Sequence, residues 1–261
     1  MAKRRLSIWV LCVMIGWGIA RSGDAAENPR ERYSALLSEH VKNGMVDYAQ
    51  ICADFRLDEY LRMLNAADPE EIETENGRLA FWINVYNAYT LKVICDHYPL
   101  SSINELHRGG LIVGSIFGTT VWDEKLVRVN GRKITLNHVE HKIIRPRFND
   151  PRIHFALVCA AKGCPPLRSR AYTGERLDAQ LNDQGARFLS NPEKNAFDAE
   201  RKVARVSKIF AWFREDFGGT KAALLEYLAR FLPEETAVSM RNEPRRWRIR
   251  YTPYDWSLNE Q

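Results

Sequence analysis

The residues best equipped for chemistry fall in one short run, Arg152-Ile153-His154-Phe155-Ala156-Leu157-Val158-Cys159-Ala160-Ala161-Lys162-Gly163-Cys164, followed by Pro165 and Pro166. An apolar stretch carrying a histidine ends in a cysteine, reverses near a glycine and meets a second cysteine. Three chemistries fit these side chains. A thiol at Cys159 becomes a nucleophile when a neighbouring imidazole or a helix N-terminus lowers its pKa. Cys159 and Cys164 are close enough in sequence, with Gly163 between them, to close a disulfide contributing at most about 2 to 3 kcal/mol in the chain-entropy picture. With His138 and His141, or with His154, the same sulfurs could complete tetrahedral zinc, although His-x-x-His on a helix diverges in direction.

A second group lies upstream. Asn137, Glu140, His141 and Arg145 recur at offsets of three and four and share a helical face. There a carboxylate could orient an imidazole for proton transfer. Asn137 followed by Glu140 also reads as a capping-box variant, and Arg145 as a cation favouring the helix C-terminus. His154, in an apolar run, ranks just below His141 as a base. Asn84 and Asn87 sit on an apolar helix, where buried amides need partners. They either tie that helix to loops or line a pocket and donate to an oxyanion.

The elements that must position these groups follow from periodicity. Two amphipathic helices are expected around Tyr33 to Val41 and Leu57 to Leu64, with a break near Gly44. A third spans Glu75 to His97 and is apolar on nearly every side, as a buried helix should be. Leu126 to Val129, Asn130-Gly131 and Arg132 to Leu136 form a hairpin, since both turn residues tolerate positive φ. A helix from His138 to Arg145 is expected to stop at Pro146, followed by a buried strand over Ile153 to Val158. Cys164-Pro165 suits the start of a helix. Helices are expected near Leu177 to Leu189, Phe210 to Phe217 and Lys221 to Phe231, and a strand over Arg245 to Tyr251 with one arginine face. The fold class is therefore α+β, mainly helical, with a small antiparallel sheet of hairpin plus central strand packed on the buried helix.

Lys3-Arg4-Arg5, an uncharged run from Leu6 to Ala20 and small residues at Ala25 and Ala26 form the three-part pattern of a secretory signal over residues 1–26. Its removal takes away four basic residues (Lys3, Arg4, Arg5, Arg21) and one acid (Asp24), lowering the formal charge from +5 to +2. A nearly balanced chain gives little reason to expect nucleic acid as a partner. The apolar run is shorter than the roughly 20 residues of a membrane anchor, so no stable span is expected after cleavage. A periplasmic or secreted protein follows, with residues 27–261 as a single domain and an unidentified ligand or substrate. No cofactor motif is present. Export permits disulfides, but Cys52 and Cys95, in apolar helical contexts, read as packed thiols.

Phe81-Trp82-Ile83-Asn84-Val85-Tyr86-Asn87-Ala88, Leu136-Asn137-His138-Val139-Glu140-His141 with Arg145, and Arg152 to Cys159 with Cys164-Pro165-Pro166 together resemble the DUF547 family of bacterial and plant proteins. The likeness runs from Gly77 to Phe188. It implies a domain without a settled activity and supplies a choice of positions, not catalytic roles. Two functions follow from the residues themselves. One is thiol-dependent acyl transfer or amide hydrolysis, with Cys159 attacking, His141 or His154 taking the proton, Glu140 orienting the imidazole, and Asn84, Asn87, Arg145 and Cys164 around the substrate. The other is a binding or scaffold module with a Cys159–Cys164 bridge. Papain-like enzymes place cysteine before histidine; here the order is His141, His154, Cys159.

Overall fold

The computed structural model describes residues 28–106 and 120–261. The expected signal segment lies outside the described residues. Helix α1 (Pro29–His40) begins where the Asn28 side chain accepts from the Arg30 amide and Pro29 enters the first turn, a position that needs no N–H. A short hairpin, β1 (Val41–Lys42) and β2 (Met45–Val46), turns at Asn43 and Gly44 with φ of 54° and 84°. A Cβ at Gly44 would come within 2.3 Å of Pro166 Cβ, so glycine also permits a close approach there. Helices α2 (Tyr48–Ala53) and α3 (Phe55–Ala66) follow, with Tyr33 of α1 stacked on Tyr60 of α3 at 4.1 Å.

Helix α4 (Glu75–His97) has the expected bounds. Thr74 caps the Gly77 amide, and a continuous run from Trp82 to Leu91 is buried. Its neighbour α2 is bonded to it by a Cys52–Cys95 disulfide. The reading of these two cysteines as packed thiols is therefore corrected: both face the α2–α4 contact at bridging distance, a relation that two separate helical patterns do not reveal.

The hairpin of β3 (Val127–Val129) and β4 (Arg132–Ile134) pairs Val129 with Arg132 across Asn130 and Gly131, both at positive φ. The next helix, α5, starts at Leu136–His138, widens into a π-helix over Val139–Ile144 and closes over Arg145–Phe148. Thr135, not Asn137, caps it, by accepting from the His138 amide. Pro146 does not stop it: proline opens the final α-helical turn, immediately after the wider π turns.

The expected strand at Ile153 to Val158 is instead a 3-10 helix over Pro151–Phe155, with an irregular extended segment beyond it. Asp150 caps the Arg152 amide and Pro151 sits at the first helical position. Among the described residues the hairpin therefore has no central strand beside it. Cys164-Pro165 starts no helix either, and the chain stays irregular until Gly174.

Helix α6 (Leu177–Leu189) matches expectation, and α7 (Ile209–Trp212) is shorter than expected. Helix α8 (Lys221–Ala229) ends just short of its expected limit, and α9 (Glu234–Asn242) was not foreseen. A mixed sheet joins β5 (Ala196–Asp198) antiparallel to β6 (Val203–Val206), and β6 parallel to β7 (Arg248–Tyr251). The fold is α+β, helical in the main with small sheets. Its apolar residues form two clusters, one around α1 to α5 and one around α6 to α9. The 151–158 segment spans both, with Ile153 and Ala156 in the first and Phe155 in the second. His154 thus lies at their seam. No helix among the described residues is long and apolar enough to cross a membrane.

Candidate functional site

The segment carrying His154 and Cys159 is held by an amide from another helix. Asn87 donates through Nδ2 to the Ala156 carbonyl at 2.9 Å and accepts from the Val158 amide at 3.0 Å. The side chain does what a neighbouring strand would do. Asn84 repeats this at Tyr172, bonding its carbonyl at 2.8 Å and its amide at 2.9 Å. Each asparagine is engaged through both its donor and its acceptor, and neither lines the cavity described below. Their place is structural, as ties between α4 and two loops.

Past Val158 the backbone reverses at Ala160, whose φ is +62°. A non-glycine residue there stores strain of about 1 to 3 kcal/mol, and such strain gathers near functional sites. Gly163, expected to make the reversal, serves another end: a Cβ there would lie 2.9 Å from the Asp255 carbonyl, to which the Gly163 amide bonds at 2.8 Å. The turn brings Cys164 back to Cys159, and the two sulfurs are bonded as a disulfide. The Cys159 amide donates to Cys164 Sγ at 3.0 Å. Tyr254, from the C-terminal tail, places its hydroxyl 3.1 Å from Cys164 Sγ and 3.3 Å from Cys159 Sγ. Burial holds that phenol well above its ordinary pKa, so it stays a neutral donor.

A cavity of about 300 Å³ opens onto this bridge. It gathers four expected residues, Glu140, His141, His154 and Cys159, together with Cys164. Its walls are aromatic: Tyr86, Trp122, Trp212, Phe213, Tyr254 and Trp256. Arg145 lies behind the wall. His138 points elsewhere, into a separate cleft beside Asp68 and Arg147. Among the described residues no group of three or more His, Cys, Asp or Glu side chains is placed to hold a metal ion.

Sequence reasoning missed the residue that organises the polar wall. Asp216, in the turn after α7, accepts from His154 Nε2 at 2.7 Å and takes Arg145 in a two-point contact, Nε to Oδ2 at 2.6 Å and Nη2 to Oδ1 at 2.7 Å. These bonds, that from His154 foremost, hold its carboxyl well below the usual carboxylate range. Burial lowers the pKa of His154, whose ring stacks on Phe213 at 3.9 Å. A neutral ring donating Nε2–H to Asp216 keeps its Nδ1 lone pair available for a proton.

His141 is held in the other tautomer. Arg145 Nη1 reaches its Nδ1 at 3.0 Å, and because a guanidinium can only donate, the ring proton sits on Nε2. Burial, and then Arg145, lower its pKa. His141 is thus left with Nε2–H as a donor, and His154 with Nδ1 as an acceptor. The π turns place Glu140 and His141 on this wall with Arg145 behind it, and the Arg145 amide closes onto the Glu140 carbonyl.

Glu140 does not orient an imidazole. Its carboxyl is buried and accepts from the Tyr86 hydroxyl, which accepts in turn from Trp122 Nε1 at 3.0 Å. Desolvation raises its pKa to about 7, and Tyr86 and Arg145 only partly offset this. Asn137, at the rim, bonds Asp123 Oδ1 at 2.5 Å and so secures the turn that carries Trp122. The signal that could have pointed to Asp216 is weak: it is one of two adjacent acids, Glu215 and Asp216, between Phe213 and Phe217.

Comparison with curated proteins and with solved structures finds no match to this chain. The family model described as "Protein of unknown function, DUF547" matches residues 69–189. That stretch holds α6 and also α4, α5 and the 151–164 turn, which supply Tyr86, Glu140, His141, His154, Cys159 and Cys164 to the cavity. The resemblance to DUF547 read from the three sequence motifs is thus shown over residues 69–189.

Proposed function

We propose that the chain is an exported thiol enzyme of acyl transfer or amide hydrolysis, latent while the Cys159–Cys164 bridge is closed. The observation that carries this reading is that His154, bonded through Nε2 to Asp216, lines the same cavity as Cys159. A dithiol reductant opens the bridge, giving two protein thiols and its own oxidised disulfide. As Cys159 Sγ bonds to the substrate carbonyl carbon, His154 Nδ1 takes the thiol proton and Asp216 stabilises the imidazolium. The His141 Nε2–H and the Tyr254 hydroxyl are the donors available to the oxyanion. His154 then returns the proton to the leaving amine, and water releases the acyl group from sulfur. Arg145 positions Asp216 and His141 without touching substrate.

The test is intact-protein and peptide mass spectrometry after exposure to an activated ester or thioester. The reduced protein should carry one acyl group on Cys159, absent from the oxidised protein and from Cys159→Ser, and formed about 10²- to 10⁴-fold more slowly in Asp216→Asn. Acylation elsewhere, or none in the reduced protein, would overturn the reading. The disulfide itself favours a second reading, a binding module whose bridge fixes the cavity floor. A protein that keeps full bridge occupancy against a physiological dithiol would fit that one instead.

A further inference from the structure

Among the described residues, the cavity's one carboxyl group has no cation hydrogen-bonded to it. Arg145, the guanidinium nearby, directs Nε and Nη2 to Asp216 and Nη1 to His141. Glu140 is left with Tyr86, a neutral donor, and opens onto the cavity. Beside it stands an aromatic group built from two distant parts of the chain, Trp212 of α7 and Tyr254 and Trp256 of the C-terminal tail. Ring centroids are 4.8 Å apart for Trp212 and Tyr254, 5.6 Å for Trp212 and Trp256, and 4.4 Å for Tyr254 and Trp256. Trp212 is 49% exposed, a large apolar surface left in water. Aromatic faces attract cations through their quadrupole, most strongly where water is excluded. A buried carboxylate without a cation is unfavourable by itself and gains most when one arrives.

We propose that this cavity takes a substrate bearing a positively charged amine, seated on the Trp212–Tyr254–Trp256 rings with Glu140 as its counter-ion. The proposal rests on reading the cavity as the substrate site and adds the class of substrate: an acyl compound or amide carrying an ammonium or quaternary ammonium group. An anionic substrate would face Glu140 with the local guanidinium already committed. Among the described residues, the groups facing Glu140 are Tyr86 from α4, Arg145 from its own helix, Asp216 from the turn after α7 and Tyr254 from the tail. None of them supplies a cation hydrogen-bonded to the carboxyl. Binding a cation favours the ionised form, so affinity should rise with pH up to about 7 and level off above it.

Choline and its neutral isostere 3,3-dimethylbutan-1-ol share shape and differ in charge. Titrating each into the full chain with the bridge closed, followed by tryptophan fluorescence and calorimetry, requires no reaction and so separates this proposal from the thiol mechanism. Choline should bind at least tenfold more tightly than the alcohol at pH 8, and less tightly at pH 5.5. Glu140→Gln should remove that preference. Trp212→Ala, a change at a half-exposed side chain, should weaken choline about three- to thirtyfold. Equal binding of the two probes, an undiminished preference in Glu140→Gln, or no binding of either at millimolar concentration would overturn the proposal.

Discussion

Asp216 sets the state of both histidines, one directly and one through Arg145. Glu140 carries the clearest pH signature. Its folded pKa of about 7 lies above its ordinary value of 4.5, so between those pH values the folded protein holds a proton that the unfolded chain has released. Stability therefore falls as pH rises through that window, by an amount on the order of 3 kcal/mol once Glu140 is ionised. Glu140→Gln should raise the melting temperature at pH 8 and leave it nearly unchanged at pH 4, which thermal unfolding at the two pH values will check. At this scale the sequence was partly legible. Cys159, His141, His154 and Glu140 do share one cavity, because each lies beside an apolar run that had to be packed. Their bonding was not legible, since Asp216 is 62 residues from His154 and no local pattern joins them.

Among the elements, those governed by short-range rules were readable: the hairpin at Asn130-Gly131, the all-round apolar α4, and α6. The 151–158 segment was not, because its partner is a side chain. With Asn87 supplying a donor and an acceptor, Val158 needs no neighbouring strand. Asn87→Ala leaves the Val158 amide and Ala156 carbonyl unpaired in the core, a loss of about 2 to 6 kcal/mol that chemical denaturation will measure. The same non-locality hid the π turns in α5, where residues five apart close together although the sequence pattern implies offsets of three and four.

For the whole molecule, the cavity depends on the chain returning at its end. Leu258 pairs with Ala161, Ser257 with Ser102 and Glu260 with Val46, while buried Asn259 bonds the Tyr48 hydroxyl at 2.7 Å. Tyr254 and Trp256 reach the cavity on this tail, so the site spans more of the chain than the family match at 69–189. Nothing in the composition of those last residues announces this role. Neither did the helical contexts of Cys52 and Cys95 announce their bond. That bridge closes a loop with a sequence separation of 43, and its loss in Cys52→Ser should lower stability by about 4 kcal/mol in the chain-entropy picture, measurable by denaturant titration.

The most direct measurement is the pH dependence of Cys159 alkylation by iodoacetamide in the reduced protein, beside that of Asp216→Asn. If His154 takes the Cys159 proton as proposed, Cys159 should react with an inflection below pH 7, moving upward by a unit or more when Asp216 is replaced. An inflection near the ordinary thiol value of about 8.5 in both proteins would contradict the account.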